Sequence, residues 1–447
     1  MKKIASIFKN KDVLSRIVFT IVILLIFQIG ANVTLPQITL SESVTSAMTT
    51  NSALSLFNLL GGGGLSQFSI FALGVSPYIT SQIIVQLLSM DVLPALSELR
   101  KQGDVGRRKI EMTTRYLTLL LGSVQAYGII RMMENGGYIT LNDTSTWTYV
   151  YLVLIMVAGS MLVMWLGDQI TNKGIGNGIS MIIFSGVVTQ LPTQIGGAFQ
   201  RWILQNQGSG ANAMITGVFQ FVIYVLCLLL IIGFIVFIES ARRKIPVQSA
   251  GRSGNISKMS QASFLPIKLN SAGVIPVIFA SSILMAPSLI ASFISSEAAS
   301  ASWLGIFSYT TMYQMPGLDG STWGMPWGLL MYITLIVLFT FFYSQLQINP
   351  SQLAENFQKN GSYIPGIRPG NETERYIKKV VNRISCIGAI SLAFIASLPV
   401  ILTLSGVFGS DSSLAFGGTG LIIAVGVAIE LNNQVNGLLA GKKYDNI

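Results

Sequence analysis

The chain has 447 residues, of which 51% are hydrophobic and only 10% charged, with a formal net charge of +10. Charge this sparse excludes an ordinary soluble domain of that length, which must keep a hydrated surface. The absence of histidine and the presence of only two cysteines exclude Ser-His-Asp hydrolysis, the HExxH zinc motif, histidine proton relays and a structural zinc site.

Apolar stretches near the length that crosses a bilayer, about 20 residues, recur along the whole chain. In order they fall at roughly 17–33, 69–90, 112–131, 147–167, 175–192, 214–238, 271–293, 325–344, 384–404 and 415–430. The pattern predicts an all-α polytopic membrane protein with ten spans. The first run has no convincing small-residue cleavage site and other spans follow, so it reads as a span rather than a leader. Just before the second lies "LFNLLGGGGL" (residues 56–65), too short and glycine-rich to cross. Irregular backbone at membrane depth is tolerated only where protein or a water-filled cavity surrounds it, so this half-segment reads as re-entrant. Further on, "NKGIGNGIS" (172–180) lacks the dinucleotide-binding spacing and reads as a tight turn into a helix. Cys227 and Cys386 fall within or beside apolar runs and read as small buried hydrophobes. The late "GLLAGKKYD" is one residue short of a phosphate loop, and no Ser or Thr follows its lysine. No catalytic constellation emerges and no cofactor or metal is implied, so the chain reads as a non-enzyme whose energy comes from a partner.

Basic residues set the orientation. Of 28 Lys and Arg, only Arg131 and Arg201 fall in connections that alternation would place outside. The rest put both termini in the cytoplasm by the positive-inside rule. Span centres carry essentially no charge, which argues against an ion-coupled small-molecule transporter. Two cytoplasmic connections, 240–269 and 345–383, are long, basic and studded with Gly and Pro. Topology needs only a few charges, so loops of this length point to partner docking. Arginine-rich tips suit a strongly acidic or nucleic-acid partner.

Five stretches together resemble the SecY family, the large subunit of the bacterial Sec protein-conducting channel. They are "SIFALGVSPYITSQIIVQLL", "MWLGDQITNKGIGNGISMIIF", "LPIKLNSAGVIPVIFASSI", "ENFQKNGSYIPGIRPGNETERYI" and "FGGTGLIIAVGVAIE", in order along nearly the whole chain. The resemblance implies two inverted five-helix halves, 1–192 and 193–447, and a lateral exit to lipid between about 75–90 and 271–290. It implies a pore ring of Val75, Ile79, Ile83, Ile183, Ile278 and Ile423, with Val75 leaving the collar slightly wider on one side. Below the ring it implies a plug at about 56–66 that includes Leu59, Leu60, Gly61, Gly62, Gly63, Gly64 and Leu65, a short apolar helix capped by its glycines and loosened by them. Arg242, Arg243 and Lys244 match the basic tip of one docking loop, and Arg368 and Tyr444 match positions that couple to a motor. The implied partners are SecE, SecG, the motor ATPase SecA, the ribosome through its RNA, signal peptides, nascent chains and membrane lipid. The implied location is the bacterial cytoplasmic membrane. An accessory Sec channel homologue for a dedicated substrate class is the alternative kept open.

Overall fold

The computed structural model describes residues 10–41, 44, 58, 61–89, 93–143, 145–204, 211–249, 263–294, 302–307, 313–316, 322–404 and 418–445. Its helices are α1 (Lys11–Ala31), α2 (Ser76–Leu88), α3 (Pro94–Lys101), α4 (Asp104–Asn135), α5 (Thr146–Lys173) and α6 (Gly178–Phe199). There follow α7 (Ala211–Ser240), α8 (Ile275–Ile294), α9 (Trp327–Gln347), α10 (Pro350–Lys359), α11 (Asn371–Leu404) and α12 (Gly418–Asp445). Among the described residues, seven helices are long and apolar enough to cross a membrane: α1, α5, α6, α7, α9, α11 and α12. The other three expected spans correspond to α2, α4 and α8, each interrupted in its own way. α4 opens on charged residues, α8 has Pro287 inside it, and α2 has only 13 residues.

Two expectations change here. The second apolar run does not begin as helix at 69, because residues 61–75 form a series of turns. The long connections at 240–269 and 345–383 are not bare loops either. Strands β3 (Arg242–Ser249), β4 (Ser263–Lys268) and β7 (Ser362–Tyr363) form a sheet in the order β4-β3-β7. Helix α11 begins at Asn371, well before the apolar run at 384. Along β3, Ile245 and Val247 are buried while Pro246 and Gln248 are exposed, the two-residue alternation of a half-buried strand. On α11, Ile377, Val380, Val381 and Ile384 form one stripe, and with Ile245, Ile267 and Ile364 they close a small separate core. The two connections thus form one platform at a single end of the bundle.

The other end carries short pairs: β1 (Ile38–Leu40) with β2 (Ile139–Leu141), and β5 (Tyr313–Pro316) with β6 (Thr322–Met325). Inside the bundle, helices are apolar on all sides, so lipid takes one face and protein the other. On α7 the buried stripe is Tyr224, Leu228, Ile231, Ile235 and Ile238, while Phe219, Leu226, Leu230 and Phe237 are exposed. Helical spacing explains that stripe, yet polarity does not mark it. Cys386 is exposed and Cys227 partly so, which corrects their reading as buried. α2 packs on α4, α4 on α5, α5 on α6, and α1 on both α5 and α6. α8 packs on α9, α9 on α11, and α7 and α11 on α12. Between these groups, α6 meets α12 and α8 meets α4 and α2.

Candidate functional site

A cavity of about 390 Å³ lies where those groups meet. Ile79 and Ile83 of α2, Ile183 of α6, Ile278 of α8 and Ile423 of α12 all line it. Ile79 and Ile83 are one helical turn apart, so both reach the same space. Five of the six expected ring positions therefore share one cavity. The sixth, Val75, is fully buried at the residue preceding α2 and is not among the lining residues. Its smaller side chain therefore does not widen this cavity.

Ile179, Val274, Ile275 and Phe279 add to the apolar lining, and a polar group comes from the platform end: Glu111 and Arg115 near the start of α4, Asp168 and Thr171 near the end of α5, and Asn177 before α6. The Arg115 guanidinium donates to Asp168 Oδ2 at 2.8 Å, joining α4 to α5. Both side chains are partly exposed, so the pair contributes roughly 0–1 kcal/mol. A wet mouth above an aliphatic floor can exclude ions by dewetting and still accept any chain, because apolar contact is non-directional.

The wall between α2 and α8 is closed by contacts with α9. The Tyr343 hydroxyl donates to Gln86 Oε1 of α2. Phe279 of α8 stands edge-on to Phe339 at 5.6 Å and to Tyr343 at 5.1 Å between ring centres. Gln86 reads in sequence as one more amide holding helices together, and its partner on α9 is not visible there.

Residues 61–65 fill the space between α1 and α6. Gly62 and Gly63 have φ of +69° and +88°, which favours glycine. The Gly63 amide donates to the Asn58 carbonyl at 2.7 Å, and the Ser66 amide to Asn58 Oδ1 at 2.9 Å. Leu65 is fully buried. A Cβ on Gly186 of α6 would lie 2.2 Å from the Gly62 Cα, and one on Gly62 would lie 2.4 Å from Phe27 Cζ of α1. Phe27 in turn stacks on Phe71 at 5.8 Å. The glycines here permit contact between backbones, and residues 61–65 are closely packed against α1 and α6. The glycines expected to cap a short helix lie in turns over 61–65, while Leu59 and Leu60 of that helix lie outside the described residues. Gly186 was not singled out in sequence, although a small residue within an apolar helix is the usual mark of close approach.

A family model described as SecY matches residues 69–432. The chain belongs to the SecY family. It is 42% identical over 455 residues to the protein translocase subunit SecY of Streptococcus sanguinis, covering 99% of this chain and 98% of that one. It is 41% identical over 443 residues to that of Mycoplasma capricolum, covering 98% and 89%. A solved protein-conducting channel superposes with a TM-score of 0.66 at 16% identity, over 95% of this chain and 92% of that one. The Sec61 channel of a canine ribosome–channel complex superposes with a TM-score of 0.63, also at 16% identity, over the same shares. These structural likenesses carry the fold.

Within this SecY-family fold the platform holds four of the five remaining expected positions, all but Tyr444. Arg368 is exposed on a turn in which the Ile367 amide donates to the Ile364 carbonyl at 3.1 Å. Pro365 and Gly366, with φ +82° at the glycine, are what such a turn requires. The Arg368 carbonyl accepts from the buried Thr373 hydroxyl at 2.9 Å, which fastens the turn to α11. Arg242, Arg243 and Lys244 are exposed, but they open β3 directly after α7 and pair with Lys268, Ile267 and Pro266. They form the base of the hairpin and not its tip; residues 250–262 lie outside the described residues. Tyr444 falls within α12, and its side chain lies outside what is described.

Proposed function

We propose that this chain is the channel-forming subunit of a bacterial protein translocase, passing unfolded secretory polypeptides across the cytoplasmic membrane and releasing apolar segments sideways into lipid. The observation that carries the reading is the convergence of five isoleucines from four helices on one cavity with a polar mouth. Val75 is proposed with them as a flanking residue. In this reading the α2–α8 seam is the lateral exit, and residues 59–65 are the plug. The two groups of packed helices are the two halves of the channel. Both termini and the platform face the cytoplasm, which the charge asymmetry supports.

SecE and SecG would complete the membrane assembly, and SecA or the ribosome would supply the drive. Arg242, Arg243, Lys244, Arg368 and Tyr444 are the proposed docking positions. Guanidinium forks suit both carboxylates and RNA phosphates. The test is reconstitution of this chain with SecE and SecG in vesicles, followed by addition of SecA, ATP and a secretory preprotein. Protease-protected preprotein inside the vesicles is expected. Well-folded complexes that bind SecA yet protect none would contradict the reading.

A further inference from the structure

Among the described residues, Arg131 is one of two basic residues at the end of the bundle away from the platform, and neither the cavity nor the docking surface uses it. It sits in the last turns of α4, where its Nη1 donates to Glu134 Oε2 at 3.1 Å. The Tyr149 hydroxyl of α5 donates to Glu134 at 2.8 Å, so α4 and α5 are already joined without Arg131. The guanidinium lies 5.5 Å from the centre of the Tyr149 ring. Both of its hydrogen bonds use Nη1, and its side chain is 40% exposed, which leaves Nη2 and Nε able to donate.

This charged pair stands at the rim of a groove of about 670 Å³ between α4 and α5. Tyr127 forms one wall, and Val150, Val153 and Leu154 continue along α5. Leu154 is 64% exposed and Trp147, at the start of α5, is 78% exposed. An exposed indole beside a helix end marks the height of lipid headgroups. The groove therefore offers a phosphate-binding fork at headgroup level above an apolar track that runs down the helix.

We propose that the groove seats one glycerophospholipid, with its phosphate diester on Arg131 and an acyl chain along Val150, Val153 and Leu154. Glu134 neutralises the arginine, so a net negative headgroup gains little here. A zwitterionic headgroup with a primary amine gains twice, from phosphate on guanidinium and ammonium on carboxylate. The site holds whichever leaflet that end of the bundle faces, and does not depend on the transport activity.

Native mass spectrometry of the intact complex, released from nanodiscs of mixed phosphatidylethanolamine and phosphatidylglycerol, would count retained lipids. One phosphatidylethanolamine should be retained per complex. Arg131→Gln should lower that species by about tenfold or more, the scale of one lost charge-assisted contact. Glu134→Gln should shift retention toward phosphatidylglycerol, and Tyr149→Phe, which keeps the arginine, should leave retention near normal. Glycerophosphoethanolamine without acyl chains should not displace the lipid. Unchanged retention in Arg131→Gln would overturn the proposal. Loss in Tyr149→Phe as complete as in Arg131→Gln, displacement by the chain-free headgroup, or equal retention of both lipids by the unaltered chain would each do the same.

Discussion

The platform core and the bundle core are built by opposite rules. In the platform, water surrounds the fold, so burial follows polarity: Ile377, Val380, Val381 and Ile384 point inward while Lys378, Lys379 and Arg383 are exposed. In the bundle the solvent is itself apolar, and Leu230 is 65% exposed where its neighbour Ile231 is 5%. The hydrophobic effect holds the platform together, whereas shape and close approach hold the bundle. Gly186 against Gly62 is an example of the second rule. The same kind of substitution should therefore have different consequences in the two regions.

The largest expected effect belongs to Ile377→Asp in the platform core. An unpaired carboxylate in a core this small costs about 3–5 kcal/mol. Limited proteolysis should open the platform while the bundle stays intact in detergent; cooperative loss of both would merge the two cores. Next in size is Arg368→Lys, which keeps the charge but loses the planar fork. A lost contact of about 1.5–3 kcal/mol should slow SecA-driven preprotein uptake roughly ten- to hundredfold, with ribosome-driven insertion less affected. Equal, near-normal rates for both would make Arg368 an ordinary solvated charge.

Gly186→Ala places a methyl where backbone already stands and should cost about 1–3 kcal/mol by overpacking. Its expected readout is transient ion openings in bilayer recordings as residues 61–65 are displaced, without loss of preprotein uptake. A silent channel would show that this packing is not what seats the segment. The smallest effect belongs to Leu230→Ala on the lipid face, within about 0.5 kcal/mol by thermal stability in detergent. A large loss there would mean that another protein surface, and not lipid, covers that face.

What the sequence made legible follows the same division. Hydropathy located the seven long apolar helices, because a span is a long-range property of composition. Ile79 and Ile83 could be assigned to one helix face by spacing. That Ile183, Ile278 and Ile423 meet them rests on tertiary packing, and only the family likeness pointed there. The turns at 69–75 were hidden inside the second apolar run, since hydropathy is blind to backbone conformation, whereas the glycines at 61–64 had already marked an interrupted segment. The platform was legible in the alternation of "RRKIPVQS" and the stripe from Ile377 to Ile384, but Gly, Pro and charge gave it the look of loop. The Gln86–Tyr343 contact joins residues 257 apart, and neither carries a local signal of the other.

In the proposed channel the isoleucine ring itself is the seal and residues 59–65 only assist it. Five aliphatic side chains around one cavity can dewet a narrow bore with no moving part. Single-channel recording of purified protein in planar bilayers tests this most directly, comparing deletion of residues 59–65 with Ile79→Ser, Ile183→Ser and Ile423→Ser combined. The deletion should give brief openings, and the triple serine variant a sustained ion current, because hydroxyls keep the bore wet. An ion-tight triple variant would contradict the account and place the seal elsewhere.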